Sequence, residues 1–152
     1  GLPIAQDEGA EASQAFFTQW QHDRLVMDKW FMVEVAYAAP EAALARAEAL
    51  AEHPLFEFKN PNRFRSLMGG FAANQPAFHA KDGSGYRFYA KWLATLDPLN
   101  PQTAARMSTA FDTWSRFDGE RQAQAKAALE ALLAKPDLSR DLREMVERLI
   151  KG

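Results

Sequence analysis

The chain has 152 residues, of which 47% are apolar, 12% aromatic and 25% charged, and its formal net charge is −2. This composition excludes an intrinsically disordered chain, and the length corresponds to one domain, since domains average about 150 residues. The absence of cysteine excludes disulfide frameworks, thiolate nucleophiles and cysteine-based metal sites. No apolar run reaches the roughly 18 to 20 residues that span a bilayer, and the first residues lack a signal-peptide pattern. We therefore expect a cytoplasmic protein without a membrane partner.

The charges are distributed unevenly along the chain. Residues 1–52 carry nine acids and three bases, residues 53–91 carry two acids and six bases, and residues 92–152 carry nine of each. The basic middle indicates a surface that faces an anionic group. A net charge of −2 is nevertheless unlike that of a typical nucleic-acid-binding domain, so no nucleic-acid partner is expected.

Apolar residues recur at helical spacing along most of the chain, which predicts an all-α fold. A first helix is predicted over residues 11–22, with Phe16, Phe17 and Trp20 facing the core. The next helix, over residues 25–38, carries large apolar side chains around most of its circumference, as is typical of a helix buried on more than one side. These side chains are Trp30, Phe31, Met32, Val33, Val35 and Tyr37.

The third helix is predicted from Pro40 to Glu52, where His53-Pro54 ends it. A turn at residues 82–85 precedes a further helix, with Ser84 as its predicted cap. The following helix begins at Pro101 and is expected to be anchored by Phe111 and Trp114. A terminal helix is predicted to begin after Ser139, with an outer ion pair between Glu144 and Arg148.

Two helix starts share one pattern 40 residues apart. Asn60-Pro61 and Asn100-Pro101 each place a capping side chain before a proline at the first helical position. Helical-repeat solenoids of the HEAT and armadillo types have periods of about 40 to 47 residues. The pattern therefore indicates either a structural repeat or simply a common way to begin a helix, and the sequence leaves both open.

The histidines do not form a catalytic or metal-binding pattern. None of His22, His53 and His79 has a partner at the spacing of an H-E-x-x-H zinc site, so no metal is expected in this chain. We predict that His22 is a surface residue at a helix end and that His53 lies where a helix C-terminus favours a cation. His79 precedes Asp82 and Ser84, but three residues on one loop do not easily give the geometry of a catalytic triad, which favours turn and capping roles.

The arginines offer a candidate binding site. Arg63 and Arg65 are separated by about 200° around a helix axis, so they cannot both face one ligand. If the 40-residue pattern is a true repeat, Arg65 and Arg106 occupy nearly equivalent positions and can share a concave face that binds a carboxylate. The alternative is surface ion pairing with the acidic first third of the chain.

Five separated strings, in order from about Ala15 to Ile150, carry a family resemblance. They resemble the C-terminal domain of the bacterial aminopeptidases N, or alanyl aminopeptidases, which are zinc metallopeptidases of the M1 family. The strings are LVMDKWF (25–31), NPNRFRSL (60–67), FHAKDGSGY (78–86), LDPLNPQ (96–102) with Arg106, and Arg121-Gln122.

The resemblance implies a HEAT/armadillo-like superhelix of about eight or nine helices, formed as a single domain by residues 11–152. Residues 1–10 are then linker or an expression remnant. Such a domain closes over the catalytic domain and lines the chamber that peptide substrates enter, with Arg65 and Arg106 in the chamber wall. Its partners are the other domains of the same enzyme and, in the parent, peptides.

The family's H-E-x-x-H helix, downstream Glu and G-A-M-E-N segment are absent from this sequence. The isolated chain is therefore expected not to be an enzyme, to need no cofactor and to leave the single zinc ion to its parent. A free-standing helical-repeat scaffold that binds a protein partner is the alternative. The length of the native open reading frame discriminates between the two.

Overall fold

The computed structural model describes residues 14–16, 18–20 and 22–152, of which the first two groups are helical. Residues 22–152 form eight α-helices and two 3-10 helices without a strand, which confirms the predicted all-α fold. The helices are α1 (Arg24–Ala36), α2 (Pro40–Ala51), α3 (Pro61–Ala73), α4 (Gln75–Phe78), α5 (Ser84–Leu96), α6 (Pro101–Met107), η1 (Ser108–Phe111), η2 (Trp114–Arg116), α7 (Gly119–Leu133) and α8 (Arg140–Lys151).

Helices α1 and α3 form the closest packed pair. Gly70 of α3 faces α1 so closely that a Cβ atom there would lie 2.8 Å from the backbone oxygen of Met32 and 2.8 Å from Cγ2 of Val35. Asn74, at the end of α3, donates hydrogen bonds from Nδ2 to the carbonyl oxygens of Val35 and Ala38, at 3.0 and 2.9 Å. The close approach at Gly70 and the hydrogen bonds of Asn74 therefore hold α1 and α3 together near their C-terminal ends.

Several side chains that were predicted to face the core in the first two helices are exposed instead. Phe16 and Trp20 are exposed, and Phe17 lies outside the described residues, as do residues 1–13. In α1, Met32 and Val33 are also exposed, and 81% of Tyr37 is accessible to solvent. Met27, Phe31 and Val35, on the other side of α1, are fully buried, so within the described residues this helix is covered on one side only.

The helix from Pro101 is shorter than predicted. It ends at Met107, and Phe111 and Trp114 lie in the two 3-10 helices that follow. The hydroxyl of Ser108 donates to the carbonyl oxygen of Ala105 at 2.6 Å. Such a bond competes with the regular helical ladder, which gives a physical reason for the tighter turns here. Both aromatic side chains remain buried.

The start of α5 is also different from the prediction, because Ser84 does not cap it. Instead, Oδ1 of Asp82 accepts hydrogen bonds from the backbone N–H of Ser84 at 2.9 Å and from its hydroxyl at 2.6 Å. Gly83 between them has φ +77°, a left-handed conformation that glycine adopts without strain.

The cap of α8 is confirmed, since Oγ of Ser139 accepts a hydrogen bond from the N–H of Leu142 at 3.1 Å. The same Ser139 donates its hydroxyl and its N–H to the buried carboxylate of Asp97, at 2.5 and 2.7 Å. Glu144 pairs with Arg140 at 2.9 Å rather than with the predicted Arg148. Asp97 therefore ties the end of α5 to the start of α8.

Candidate functional site

Two helices with similar starts contact each other at the candidate site. Oδ1 of Asn60 accepts from the N–H groups of Asn62 and Arg63 at 3.0 and 3.4 Å, and Oδ1 of Asn100 accepts from that of Thr103 at 3.1 Å. A proline occupies the first turn of each helix. The two Asn-Pro pairs thus begin α3 and α6, which contact each other.

Arg65 on α3 and Arg106 on α6 are the two arginines predicted to bind a carboxylate. Arg65 is half-buried and donates from Nη2 to Oδ1 of Asn62 at 2.6 Å, within its own helix. Arg106 is exposed. Neither guanidinium forms an ion pair with any residue that the structure describes. Carboxylate binding and pairing with the acidic first third both stay predictions.

Arg63 has a different role, which the sequence did not reveal. It is buried, and its Nε lies 2.5 Å from Oδ1 of Asp28 on α1. Nη1 donates to the carbonyl oxygen of Leu55, and the guanidinium carbon lies 5.1 Å from the ring centroid of Phe31. Arg63 is therefore a structural cation whose charge is compensated inside the chain.

His79 lies at the centre of a second polar cluster, and it is buried. Its Nδ1 and the hydroxyl of Tyr86 share a hydrogen bond of 2.6 Å, and its ring stacks on Phe117 with centroids 3.9 Å apart. Arg121 donates from Nε to the carbonyl oxygen of His79 at 2.6 Å and pairs through Nη1 with Asp118 at 2.6 Å. These contacts join α7 to the segment that precedes α5.

Burial, and after it the charge of Arg121, lowers the pKa of His79 to about 4. The imidazole is therefore neutral at physiological pH, and its Nε2 has no hydrogen-bond partner in the described structure. Burial also raises the pKa of Tyr86 to about 12. Because His79 is bonded to Tyr86 while Ser84 is bonded to Asp82, these residues do not form a triad.

His53 also differs from the cation that its position at a helix C-terminus predicts. Its Nδ1 accepts a hydrogen bond from the N–H of Leu55 at 3.0 Å, and its ring packs against the rings of Trp30 and Phe31, both at a centroid distance of 5.7 Å. Burial, followed by the charges of Arg46 and Arg63, lowers the pKa of His53. The neutral imidazole therefore packs the loop that follows α2 against Trp30 and Phe31 of α1.

The residues that the structure describes do not fit a zinc site. They contain no cluster of three or more His, Asp or Glu side chains that could hold a metal ion. We therefore derive no chemistry in this chain from the zinc that the family resemblance implies. In the same part of the chain, no helix combines the length and the hydropathy needed to cross a bilayer.

Comparison with known proteins identifies similar chains. A family model described as "Domain of unknown function (DUF3458_C) ARM repeats" matches residues 2–151. Aminopeptidase N of Haemophilus influenzae is 47% identical over 137 residues, and those of Escherichia coli and Caulobacter vibrioides are 41% and 39% identical over 138 and 141 residues. The alignments cover 90%, 90% and 92% of this chain, respectively.

A solved structure is similar as well. The crystal structure of Legionella pneumophila aminopeptidase A in complex with aspartic acid matches with a TM-score of 0.89 and 28% identity, over 97% of this chain and 17% of that one. The chain spans only 16% of the length of each of the three aminopeptidase N relatives and corresponds to their C-terminal part. These findings confirm both the predicted family resemblance and the armadillo-type fold.

Proposed function

The chain belongs to the DUF3458_C family of ARM-repeat domains, and on that premise we propose that it is the non-catalytic C-terminal domain of a zinc-dependent aminopeptidase of the M1 family. The observation that carries this proposal is the 39–47% identity to aminopeptidases N over at least nine-tenths of the chain. Because the matched part is 16% of each relative, the remaining length leaves room for the catalytic domain. The parent enzyme is expected in the cytoplasm.

Within this enzyme the domain closes over the catalytic domain and lines the chamber that peptides enter. Arg65 and Arg106 supply the cationic wall, because each is accessible and neither is neutralised by a carboxylate in the described structure. A guanidinium can donate two parallel hydrogen bonds to one carboxylate. These side chains are therefore suited to hold the C-terminal carboxylate of a peptide, which amide and anilide substrates lack.

The test uses the full-length enzyme with Arg65→Gln and Arg106→Gln, each of which removes the charge and keeps a polar side chain. KM for a short peptide with a free C-terminus should rise about 5- to 30-fold, since a hydrogen bond to a charged group contributes about 1 to 2 kcal/mol at an accessible site. KM for an aminoacyl anilide should stay unchanged, because that substrate has no carboxylate to bind.

Arg148→Gln is the matched control, because Arg148 is an exposed arginine on the terminal helix α8. It should leave KM for both substrates unchanged. Equal effects of Arg65→Gln and Arg106→Gln on peptide and anilide would contradict the carboxylate-binding role. A full-length protein without aminopeptidase activity would contradict the proposed function as a whole and favour the protein-binding scaffold.

A further inference from the structure

The hydrogen bond between Arg65 and Asn62 has a charged counterpart elsewhere in the chain. Nη2 of Arg65 donates to Oδ1 of Asn62 at 2.6 Å. Nη1 of Arg121 donates to Oδ1 of Asp118, also at 2.6 Å. In both pairs the arginine follows its partner by three residues along the chain. The two contacts therefore share their spacing and length, but Arg121 is held by a carboxylate and Arg65 by a neutral carboxamide.

Asn62 occupies a helix position at which an acid is favourable. Within residues 22–152, five α-helices have a polar second residue. In α2, α7 and α8 that residue is an acid, which interacts favourably with the dipole at the helix N-terminus. These acids are Glu41, Glu120 and Asp141. In α3 and α6 the second residue is an amide, Asn62 or Gln102, and the first turn has no acid. The two helices with the proposed carboxylate-binding arginines are therefore the two of these five that lack the stabilising charge.

The bond to Asn62 leaves Arg65 able to bind a carboxylate. It occupies one hydrogen of Nη2, and the side chain of Arg65 makes no other hydrogen bond or ion pair with the described residues. That hydrogen lies either on the edge that Nη2 shares with Nε or on the edge that Nη2 shares with Nη1. The other edge keeps both of its N–H groups, and such an edge can donate two parallel hydrogen bonds to one carboxylate.

The same bond limits the orientations of the guanidinium. An arginine side chain has many rotamers, and ordering it when a ligand binds reduces the affinity. Arg65 is half-buried and already bonded within its own helix, so part of this ordering is complete before a ligand binds. Because a guanidinium can only donate, the bond uses the amide oxygen of Asn62, which is an acceptor without a negative charge. Asn62 therefore holds the guanidinium in place and preserves its charge.

We propose that Asn62 is a positioning residue for Arg65 that sets the specificity for peptides with a free C-terminus. Its carboxamide orients the guanidinium and leaves the positive charge to the carboxylate of the peptide. The inference rests on the proposed function, because it requires that Arg65 binds that carboxylate. An acid at the position of Asn62 would hold the guanidinium as Asp118 holds Arg121, but it would compete with the substrate.

The test uses the full-length enzyme with Asn62→Asp, Asn62→Ala and Arg65→Gln. The substrates are one short peptide with a free C-terminal carboxylate and the same peptide with a C-terminal carboxamide, so only the carboxylate differs. Asn62→Asp keeps the size and the acceptor of the side chain and adds a charge, whereas Asn62→Ala removes the hydrogen bond without adding a charge. Gln75→Glu is the matched control, because it adds the same charge at an exposed position beyond the opposite end of α3.

Asn62→Asp should raise KM for the free peptide about 5- to 30-fold, as Arg65→Gln does, because the charge of Arg65 is then compensated within the chain. Asn62→Ala should raise it about 2- to 10-fold, the range expected for the loss of one hydrogen bond. In the Arg65→Gln background, Asn62→Ala should have no further effect, since Asn62 acts through Arg65. The values of kcat for both substrates and KM for the amidated peptide should not change, which also shows that the variants are folded. Gln75→Glu should change none of these values.

Three results would overturn the proposal. If Arg65→Gln raises KM for the free peptide but neither substitution of Asn62 does, Asn62 has no positioning role and the proposed function is unaffected. If the substitutions of Asn62 raise KM equally for the free and the amidated peptide, their effect does not involve the carboxylate. If Arg65→Gln leaves KM for the free peptide unchanged, the proposed role of Arg65 is wrong, and the role of Asn62 is wrong with it.

Discussion

Gly69 and Gly70 are neighbours in α3 with opposite surroundings, so the same substitution should have opposite effects on stability. A Cβ atom at Gly69 would meet no atom within 4 Å. At Gly70 it would lie 2.8 Å from the backbone oxygen of Met32 and 3.1 Å from its Cα. Neither glycine has a positive φ, so both positions accept alanine conformationally and differ only in packing.

The magnitudes follow from two separate effects. Replacing glycine by alanine within a helix stabilises it by about 0.5 to 1 kcal/mol, and Gly69→Ala should show this gain in full. Gly70→Ala has the same gain in helix propensity but forces α1 and α3 apart, and such overpacking costs about 1 to 3 kcal/mol. Because the propensity gain is common to both variants, the difference between them measures the packing cost alone.

The free energy of unfolding of the 152-residue chain and its two variants is measured by urea titration with far-UV circular dichroism. We expect Gly70→Ala to be less stable than Gly69→Ala by about 1 to 3 kcal/mol, with m-values that do not change. If Gly70→Ala is as stable as Gly69→Ala, α1 and α3 do not approach as closely as described. That result would refute the argument from packing.

Two further predictions concern buried polar groups. Arg63→Gln should lower the free energy of unfolding by about 3 kcal/mol, because it leaves the half-buried carboxylate of Asp28 without its cation. Arg46→Gln is the control, since Arg46 is 41% exposed in its ion pair, and it should cost less than about 1 kcal/mol in the same urea titration. Burial lowers the pKa of His79 from 6.5 to about 4, so between these pH values the unfolded chain binds this proton and the folded chain does not. The free energy of unfolding should therefore fall by up to about 3 kcal/mol as the pH is lowered from 6.5 to 4. His79→Gln should remove this contribution to the dependence of the free energy of unfolding on pH. An unchanged pH dependence in the variant would contradict the buried neutral imidazole.

Local features of the fold could be predicted from the sequence. Asn60 and Asn100 bond to N–H groups two or three residues further along, so the start of each helix depends only on neighbouring residues. The cap by Ser139 is local in the same sense. Asp28 and Arg63, in contrast, are 35 residues apart, and helical phase alone does not show which side chain meets which. The role of Arg63 therefore required the structure.

The exposed side of α1 shows a different kind of limit. A run of apolar residues indicates that a helix is covered on several sides, but it does not indicate which polypeptide covers them. The same pattern therefore described Phe31 and Val35 correctly and Met32 and Tyr37 incorrectly for the described chain. For the candidate site, the sequence alone left two interpretations of Arg65 open, and both stay predictions. The structure adds the bond of its guanidinium to Asn62, which spacing alone does not reveal.

The contacts divide the four arginines discussed above, Arg63, Arg121, Arg65 and Arg106, into two groups with different expected consequences. Arg63 and Arg121 are bonded to carboxylates and backbone carbonyls of their own chain, so their charges are compensated by the fold that they hold together. Arg65 bonds to an uncharged amide, and Arg106 forms no ion pair in the described structure. A charge that the fold does not compensate contributes little to stability but is available to an anion from outside. Loss of the first group should therefore be detected in the free energy of unfolding, and loss of the second in KM for peptides.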